Sequence, residues 1–432
     1  MPQSTQHMSP QTSGHFAALH FRDFRLFWIG YFISNIGTWM QMTAINWLLY
    51  ELTNSPLQLG LNGVFRAIPA IGFGLFSGVI ADRYDRKRLL LATQVTSMVL
   101  ALLLGILDQT GLIQVWHIYT LTLLSAVVNT LDGPARQALF PSLIPRSVLP
   151  NAIVLNSLLW KGSVLLGPAL GGIAISTVGT DGAFYANAAS FLAVVLALLF
   201  MRTSSAGLVE AGRFLREVKE GVSYVCSQKI ILGVMVMEAT SSIFGLDQAM
   251  LTIFARDILR VGASGLGFLQ SARGLGAVIG SGLLIALGQP HSQGKILFAS
   301  AILYGASFAF FGLSHSFPLS LLLLTIAGAT DTLWAATRNT ILQLRTPEGI
   351  RGRVMGIFHL SNRGLHPLGQ AETGLVVPLV GAREATFFGG LLVAAVTLLT
   401  AWKIPSIPQF QWEEDETLKV IEVTSPEETP TG

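Results

Sequence analysis

The feature that most constrains this chain is a succession of long apolar stretches separated by short polar ones. The first runs over 24–50, and others follow near 57–81, 88–107, 115–138, 152–178 and 182–201. Six more lie near 230–255, 263–288, 295–314, 318–343, 353–380 and 384–403. About 20 apolar residues cross a bilayer core as a helix, because a helix satisfies its own backbone where no water can. Twelve such spans take about 240 residues, which leaves ample loop and tail in a chain of 432. Charged residues make up only 12%, against about 25% in soluble proteins. The sequence therefore predicts an all-α membrane protein with twelve transmembrane helices, and disfavours a multidomain soluble enzyme. A net charge of +3 is too small for a nucleic-acid-binding surface, and the single cysteine, Cys226, allows no intrachain disulfide. The first 20 residues lack a basic segment leading into a short apolar run, so the first span is expected to stay as a membrane helix.

Basic residues set the orientation, since cytoplasmic loops retain Lys and Arg. With the N-terminus inside, twenty of them fall on the inner side, Arg338 included, and only Arg256, Arg260 and Arg383 on the outer side. Both termini are thus expected in the cytoplasm of an inner-membrane protein. The predicted organisation is a disordered tail over 1–20, six spans over 21–201, a cytoplasmic linker over 202–229 and six spans over 230–403. An acidic, disordered tail follows over 404–432. In the linker, Phe214, Val218, Val222 and Val225 recur at helical spacing, as in an amphipathic helix on the membrane surface or a solvated linker helix.

The chain also repeats itself. Leu59-Gly60, Arg66 and Ala70 recur 207 residues later as Leu266-Gly267, Arg273 and Ala277. At an offset of 202, Arg136 pairs with Arg338, Pro145 with Pro347, Lys161 with Arg363, Gly167 with Gly369 and Gly172 with Gly374. Two six-helix halves with a substrate site between them are the architecture of secondary transporters built from repeats.

Several motifs carry a family resemblance. Gly78-x-x-x-Asp82-Arg83-x-Asp85-Arg86-Lys87, between the second and third spans, resembles the major facilitator superfamily motif G-x-x-x-D-R-x-G-R-K/R, with Asp85 in place of its second glycine. Gly167-Pro168-x-x-Gly171-Gly172 in the fifth span resembles the end of that superfamily's antiporter motif, although Ser163 stands where an upstream glycine is expected. Phe24-Arg25-x-x-Trp28, Asp132-x-Pro134-x-Arg136-Gln137 and Arg351-Gly352-Arg353-x-x-Gly356 are similar to the subfamily of enterobactin, drug and macrolide exporters. The resemblance implies a major facilitator fold of two pseudo-symmetric six-helix bundles. It also implies a cytoplasmic gate at Gly78, Asp82, Arg83, Arg86 and Lys87, which latches the two halves when the transporter opens outward. Asp132 and Arg136 at the end of the fourth span join that gate, with Asp132 the expected carboxylate for Arg86 or Arg83. The superfamily's R-x-x-Q-G motif is absent, because 115–131 contains no arginine.

Charges inside the spans are the remaining signal. Arg66, Lys161, Arg273 and Arg363 lie near mid-depth, with Glu238, Asp331, Asp247 and Glu372 at various depths. A charge at the bilayer centre costs about 2.5–3.5 kcal/mol even on the lenient insertion scale, so these groups should face a cavity or each other. Structural ion pairs are one reading. The sharper one makes Glu238, flanked by Met237 and Ala239, the proton-coupling group, with Asp331 as runner-up. Arg66 and Arg273, with five fixed donors each, favour an anionic or acceptor-rich amphiphile. Asn35, Trp39, Met42 and Asn46 share one face of the first span, while Asn62, Lys161, Ser241, Ser242, Gln270 and Arg363 complete the candidate cavity set.

No nucleotide-binding loop, zinc motif or catalytic triad is present, so neither a cofactor nor a metal is expected. The sequence reads as a monomeric exporter of an amphipathic small molecule such as a siderophore, antibiotic or lipophilic metabolite. It is expected to work by alternating access and to exchange its cargo for protons. Two alternatives are a lipid or lysophospholipid transporter, and a non-transporting membrane sensor that signals through its acidic tail.

Overall fold

The computed structural model describes residues 16–73, 84–202, 214–288 and 292–410, without the side chains of 214–219, 359–360 and 362–363. Every regular element among the described residues is helical. The N-terminal set is α1 (Arg22–Thr53), α2 (Pro56–Gly72), α3 (Arg86–Gln109), α4 (Val115–Leu139) and α5 (Leu149–Phe200). The C-terminal set is α6 (Phe214–Ser227), α7 (Lys229–Phe244), α8 (Gln248–Ile253), α9 (Gly262–Leu287), α10 (Gln293–Leu313), α11 (Phe317–Arg345), α12 (Glu348–Val380) and α13 (Ala382–Lys403). Seven helical stretches among the described residues are long and apolar enough to cross a membrane. The longest of them, Arg146–Phe200, holds the fifth and sixth spans together and breaks at Gly179, whose φ of 89° is open to glycine.

Local chemistry fixes the helix ends. Asn54 closes α1 with a left-handed φ of 48°, and Pro56 opens α2 at a position that needs no N–H. Asp85, the departure from the loop motif, is the N-cap of α3: its Oδ1 accepts from the Arg88 N–H at 2.8 Å. The span at 230–255 is built from two helices, because the backbone leaves the helix at Gly245 and restarts where Asp247 caps α8 through the Met250 N–H at 2.9 Å. A π-turn, Phe254–Ile258, continues α8.

The N-terminal helices pack mainly on one another, as α1 on α5, α3 on α4 and α5, and α2 on α4. In the C-terminal set α9 packs on α11, α10 on α11 and α13, and α7 on α12 and α13. Extensive packing between the sets comes from α2 against α12 and α5 against α9. Glycines set both crossings: a Cβ on Gly60 would lie 2.7 Å from the Gly374 Cα, and one on Gly172 would lie 2.9 Å from the Gly267 Cα. The repeat relates Gly60 to Gly267 and Gly172 to Gly374, so it exchanges these two crossings.

Two expectations about the ends are corrected. Ala17–His20 form a 3-10 turn, with Ala17 and Ala18 buried and the Ala18 N–H on Asn151 Oδ1 at 3.0 Å. The tail is ordered through residue 410, because Ile407 and Phe410 are buried against the body and the Gly294 N–H bonds the Phe410 carbonyl at 3.0 Å. The acidic stretch 411–432 and most of 1–20 lie outside the described residues. The helix over 214–227 does form; it packs on α12, where Glu220 pairs with Arg353 at 2.6 Å.

Candidate functional site

Between the two sets lies a cavity of about 980 Å³. One end is lined by Asp247, Gln248, Leu251 and Gln270, at the break between α7 and α8 and on α9. Arg136, Trp160, Gly352 and Arg353 line the other. Arg136 is held there by aromatic faces, with its guanidinium carbon 5.2 Å from the Tyr31 ring centre and 4.6 Å from that of Trp160.

Four sequence-nominated polar groups face each other across this space: Arg66 from α2, Arg273 from α9, Asp331 from α11 and Asn35 from α1. Arg66 has no carboxylate partner among the described residues and reaches only the Met42 sulfur, at 4.0 Å. Arg273 donates to the Leu246 carbonyl at 2.9 Å, the acceptor that the helix break leaves exposed. The Asp331 carboxylate has no hydrogen bond or ion pair among the described residues. Trp39, Met42, Phe191 and Ile357 add apolar wall, so the cavity offers donors and three acids, Asp132, Asp247 and Asp331, within a largely apolar surround.

Most of the other nominated residues lie outside it. Glu238, buried on α7, is ion-paired with Arg338 of α11, which is itself 5% exposed. Arg338 thus belongs to the interior and not to the inner-side basic count. Lys161 reaches Ser281 Oγ, and Asn46 donates to Gln248 Oε1 at 3.2 Å and accepts from Asn62 at 3.5 Å. Ser241 and Ser242 are buried away from the cavity, with Ser241 Oγ on the Glu238 carbonyl at 3.0 Å. Of the fifth-span motif, Pro168 lines the cavity, while Gly167 and Gly171 let α5 close on Trp39 and Met40 of α1. Asp247 is buried and serves as a helix cap, and its Oδ2 accepts from Thr373 at 2.5 Å. The Arg363 side chain lies outside the described residues.

Sequence reasoning missed three features. His366 of α12 lines the cavity; as a titratable residue inside a span it carried the same signal as the nominated acids. Gln370, one turn on, also lines it, and its buried Oε1 has no partner. The third feature joins the two helix sets: Tyr50 on α1 donates to Asp257 in the π-turn, while Arg256 Nη1 donates to the Tyr50 carbonyl at 2.6 Å. These partners are more than 200 residues apart, and no local pattern marks them.

A model of the transmembrane secretion effector family matches residues 13–425. The chain belongs to this family of the major facilitator superfamily. Its relatives include an uncharacterized MFS-type transporter of Bacillus subtilis, YfiS, 24% identical over 381 residues that cover 85% of this chain and 90% of that one. The enterobactin exporter EntS of Shigella boydii is 25% identical over 384 residues, covering 87% of this chain and 91% of the exporter. Among solved structures, a POT family transporter in complex with a thioalcohol-conjugated peptide superposes with a TM-score of 0.70 at 15% identity, over 89% of this chain and 96% of that one. A bacterial homolog of the human lysosomal transporter Spinster, inward-facing and unoccupied, gives 0.68 at 13% identity, over 94% and 100%. A transmembrane secretion effector is a multi-pass membrane transporter and not an enzyme.

For a member of this family the inter-span loop matters, but Gly78, Asp82 and Arg83 lie outside the described residues. Their neighbours are placed: Arg86 Nη1 donates to the Ala138 carbonyl at 3.2 Å and Lys87 Nζ to the Met201 carbonyl at 2.6 Å. Asp132 does not pair with Arg86. Its carboxylate accepts from Gln94 Nε2 at 2.8 Å and Thr93 Oγ1 at 3.1 Å, since α3 packs directly on α4 there.

Proposed function

We propose that this transmembrane secretion effector exports an amphipathic small molecule, anionic at its polar end, by alternating access between two six-helix halves. The halves are residues 21–201 and 230–403, joined by a cytoplasmic linker over 202–229, with twelve spans in all and both termini in the cytoplasm. The exchange of the α2/α12 and α5/α9 crossings by the internal repeat supports that pseudo-symmetry. We read the end lined by Arg136 and Arg353 as the mouth of the cavity, because the positive-inside rule assigns it to the cytoplasm, so the cavity awaits cargo from inside.

The observation that carries the reading is the pair of cavity arginines, Arg66 and Arg273, neither ion-paired with a carboxylate among the described residues. Burying such cations outside an ion pair is costly unless a ligand adds counter-charge. Siderophores, antibiotics and other lipophilic metabolites with carboxylate or catecholate oxygens fit that chemistry, and EntS supports efflux as the direction. Protons are the proposed counter-substrate. Asp331 is the better coupling group, since it lines the cavity with no hydrogen bond or ion pair among the described residues while Glu238 holds Arg338. Uptake of a carboxylate-bearing amphiphile into inside-out proteoliposomes, driven by an imposed pH gradient, tests this. Charge-removing changes at Arg66 or Arg273 should cut anionic cargo transport at least tenfold more than neutral cargo transport; equal losses would argue for structural arginines.

A further inference from the structure

Arg136 stands apart from the other cavity cations in what surrounds it. Its guanidinium lies over the rings of Trp160 and Tyr31 and has no hydrogen bond or ion pair among the described residues. Asp132, one turn earlier on α4, is the nearest acid along the helix, but its Oδ1 already accepts from Gln94 and Thr93 and it forms no ion pair with Arg136. The internal repeat shows what this arginine lacks. At the offset of 202 Arg136 corresponds to Arg338, and at the offset of 207 Tyr31 corresponds to Glu238. Both arginines rest on two aromatic rings, Arg338 on those of Trp334 and Phe358. In the C-terminal set Glu238 completes the cradle, and neither member of the pair lines the cavity. In the N-terminal set a tyrosine stands in place of that acid, and Arg136, Tyr31 and Trp160 all line the cavity. A fixed fork of N–H donors is thus steadied by rings and left open to the space between the sets.

We propose that Arg136 is a second oxyanion subsite of the cavity, separate from Arg66 and Arg273, and that it takes aryl carboxylates. The ligand supplies to Arg136 the carboxylate that Glu238 supplies to Arg338. The guanidinium fork matches both oxygens of a carboxylate, which gives the contact direction as well as strength. Trp160 is 37% exposed, so the indole that steadies the guanidinium also offers a free aromatic surface beside it. A planar ring carried next to the carboxylate packs there, where an alkyl chain has no matching quadrupole to meet. The subsite rests on the export reading for its role, which is to receive cargo at the mouth. Its binding chemistry stands without that reading.

Calorimetric titration of the full chain in maltoside micelles with 2-naphthoate reads the site without any transport step. The parent should bind two equivalents. Arg136→Gln should weaken one of them by about tenfold or more, the worth of a charge-assisted hydrogen bond, and keep the other. The equivalent that is kept shows that the variant is folded. Arg66→Gln combined with Arg273→Gln should do the reverse. A single equivalent in the parent, lost with Arg66 and Arg273 and untouched by Arg136→Gln, overturns the subsite and leaves the export reading intact. A single equivalent lost only with Arg136→Gln upholds the subsite and counts against the arginine pair of the export reading. Trp160→Leu should weaken 2-naphthoate at the Arg136 site by about fivefold and decanoate by less than about twofold. Equal losses for the two acids overturn the preference for aryl carboxylates. The neutral 2-naphthamide should not compete at this site, and competition as strong as that of the acid overturns oxyanion recognition.

Discussion

Arg338 shows how much a single side chain can redirect. On α11 it lies against the rings of Trp334 and Phe358, at 5.9 Å and 4.7 Å from their centres, and its guanidinium meets Glu238. Removing one member of a buried ion pair strands the other, at about 3–5 kcal/mol. Arg338→Gln should therefore lower stability by about that much. Glu238→Gln together with Arg338→Gln should recover much of the loss, because two amides can bond each other. Thermal unfolding in detergent, run as a double-mutant cycle, checks both. Asp331 differs because no ion pair holds it among the described residues. Asp331→Asn should leave unfolding temperature nearly unchanged and abolish accumulation driven by a pH gradient, while cargo exchange without a gradient persists. Flux measured with and without the gradient separates these outcomes. At this scale the sequence picks out its candidates by their charge alone, since an ionisable group inside an apolar run is conspicuous. It could not say which acid owned which base. The partner of Glu238 is 100 residues away, and Arg338 itself lies near enough to the end of its span to look like part of a loop.

Helices are where the sequence was most legible, because each is an apolar run whose length matches a bilayer. Breaks within the runs were harder to see. Gly179, Gly245 and Asp247 interrupt apolar stretches by backbone geometry and capping, which a hydropathy average smooths over. The glycines of the repeat were visible as a pattern, but their use emerges only where two helices touch. Gly60 meets Gly374 and Gly172 meets Gly267 so closely that an added methyl has no room at either crossing. Gly60→Ala and Gly172→Ala should each cost about 1–3 kcal/mol by overpacking. Gly72→Ala, where a Cβ meets nothing within 4 Å, should be neutral or slightly stabilising on the same helix. Unfolding midpoints of the three variants test the comparison. Because the two crossings are equivalent under the repeat, the first two changes should slow transport to a similar degree.

At the scale of the whole molecule, the ends of the chain decide between a transporter and a tail-signalling sensor. Residues 404–410 are not part of a loose tail. Ile404 and Ile407 crowd Gly233 of α7, Ile407 is fully buried, and the Phe410 ring takes the Arg345 guanidinium carbon 4.8 Å from its centre. This segment ties α7, α10 and α11 together at the end of the molecule where the cavity has its mouth. A deletion beginning at residue 404 would remove that tie along with the acidic stretch, and loss of activity could then reflect packing alone. The informative cut falls after Phe410. Deleting 411–432 removes the tail carboxylates and leaves every described contact in place. Transport in proteoliposomes should stay within about twofold of the full chain, because none of the cavity residues lies beyond 410. Deleting 404–432 should instead lower the unfolding midpoint, since burying one isoleucine and one phenylalanine is worth about 1.5–3 kcal/mol each. A full loss of transport on the shorter deletion, with stability unchanged, would place function in the acidic tail and count against the cavity as the working part.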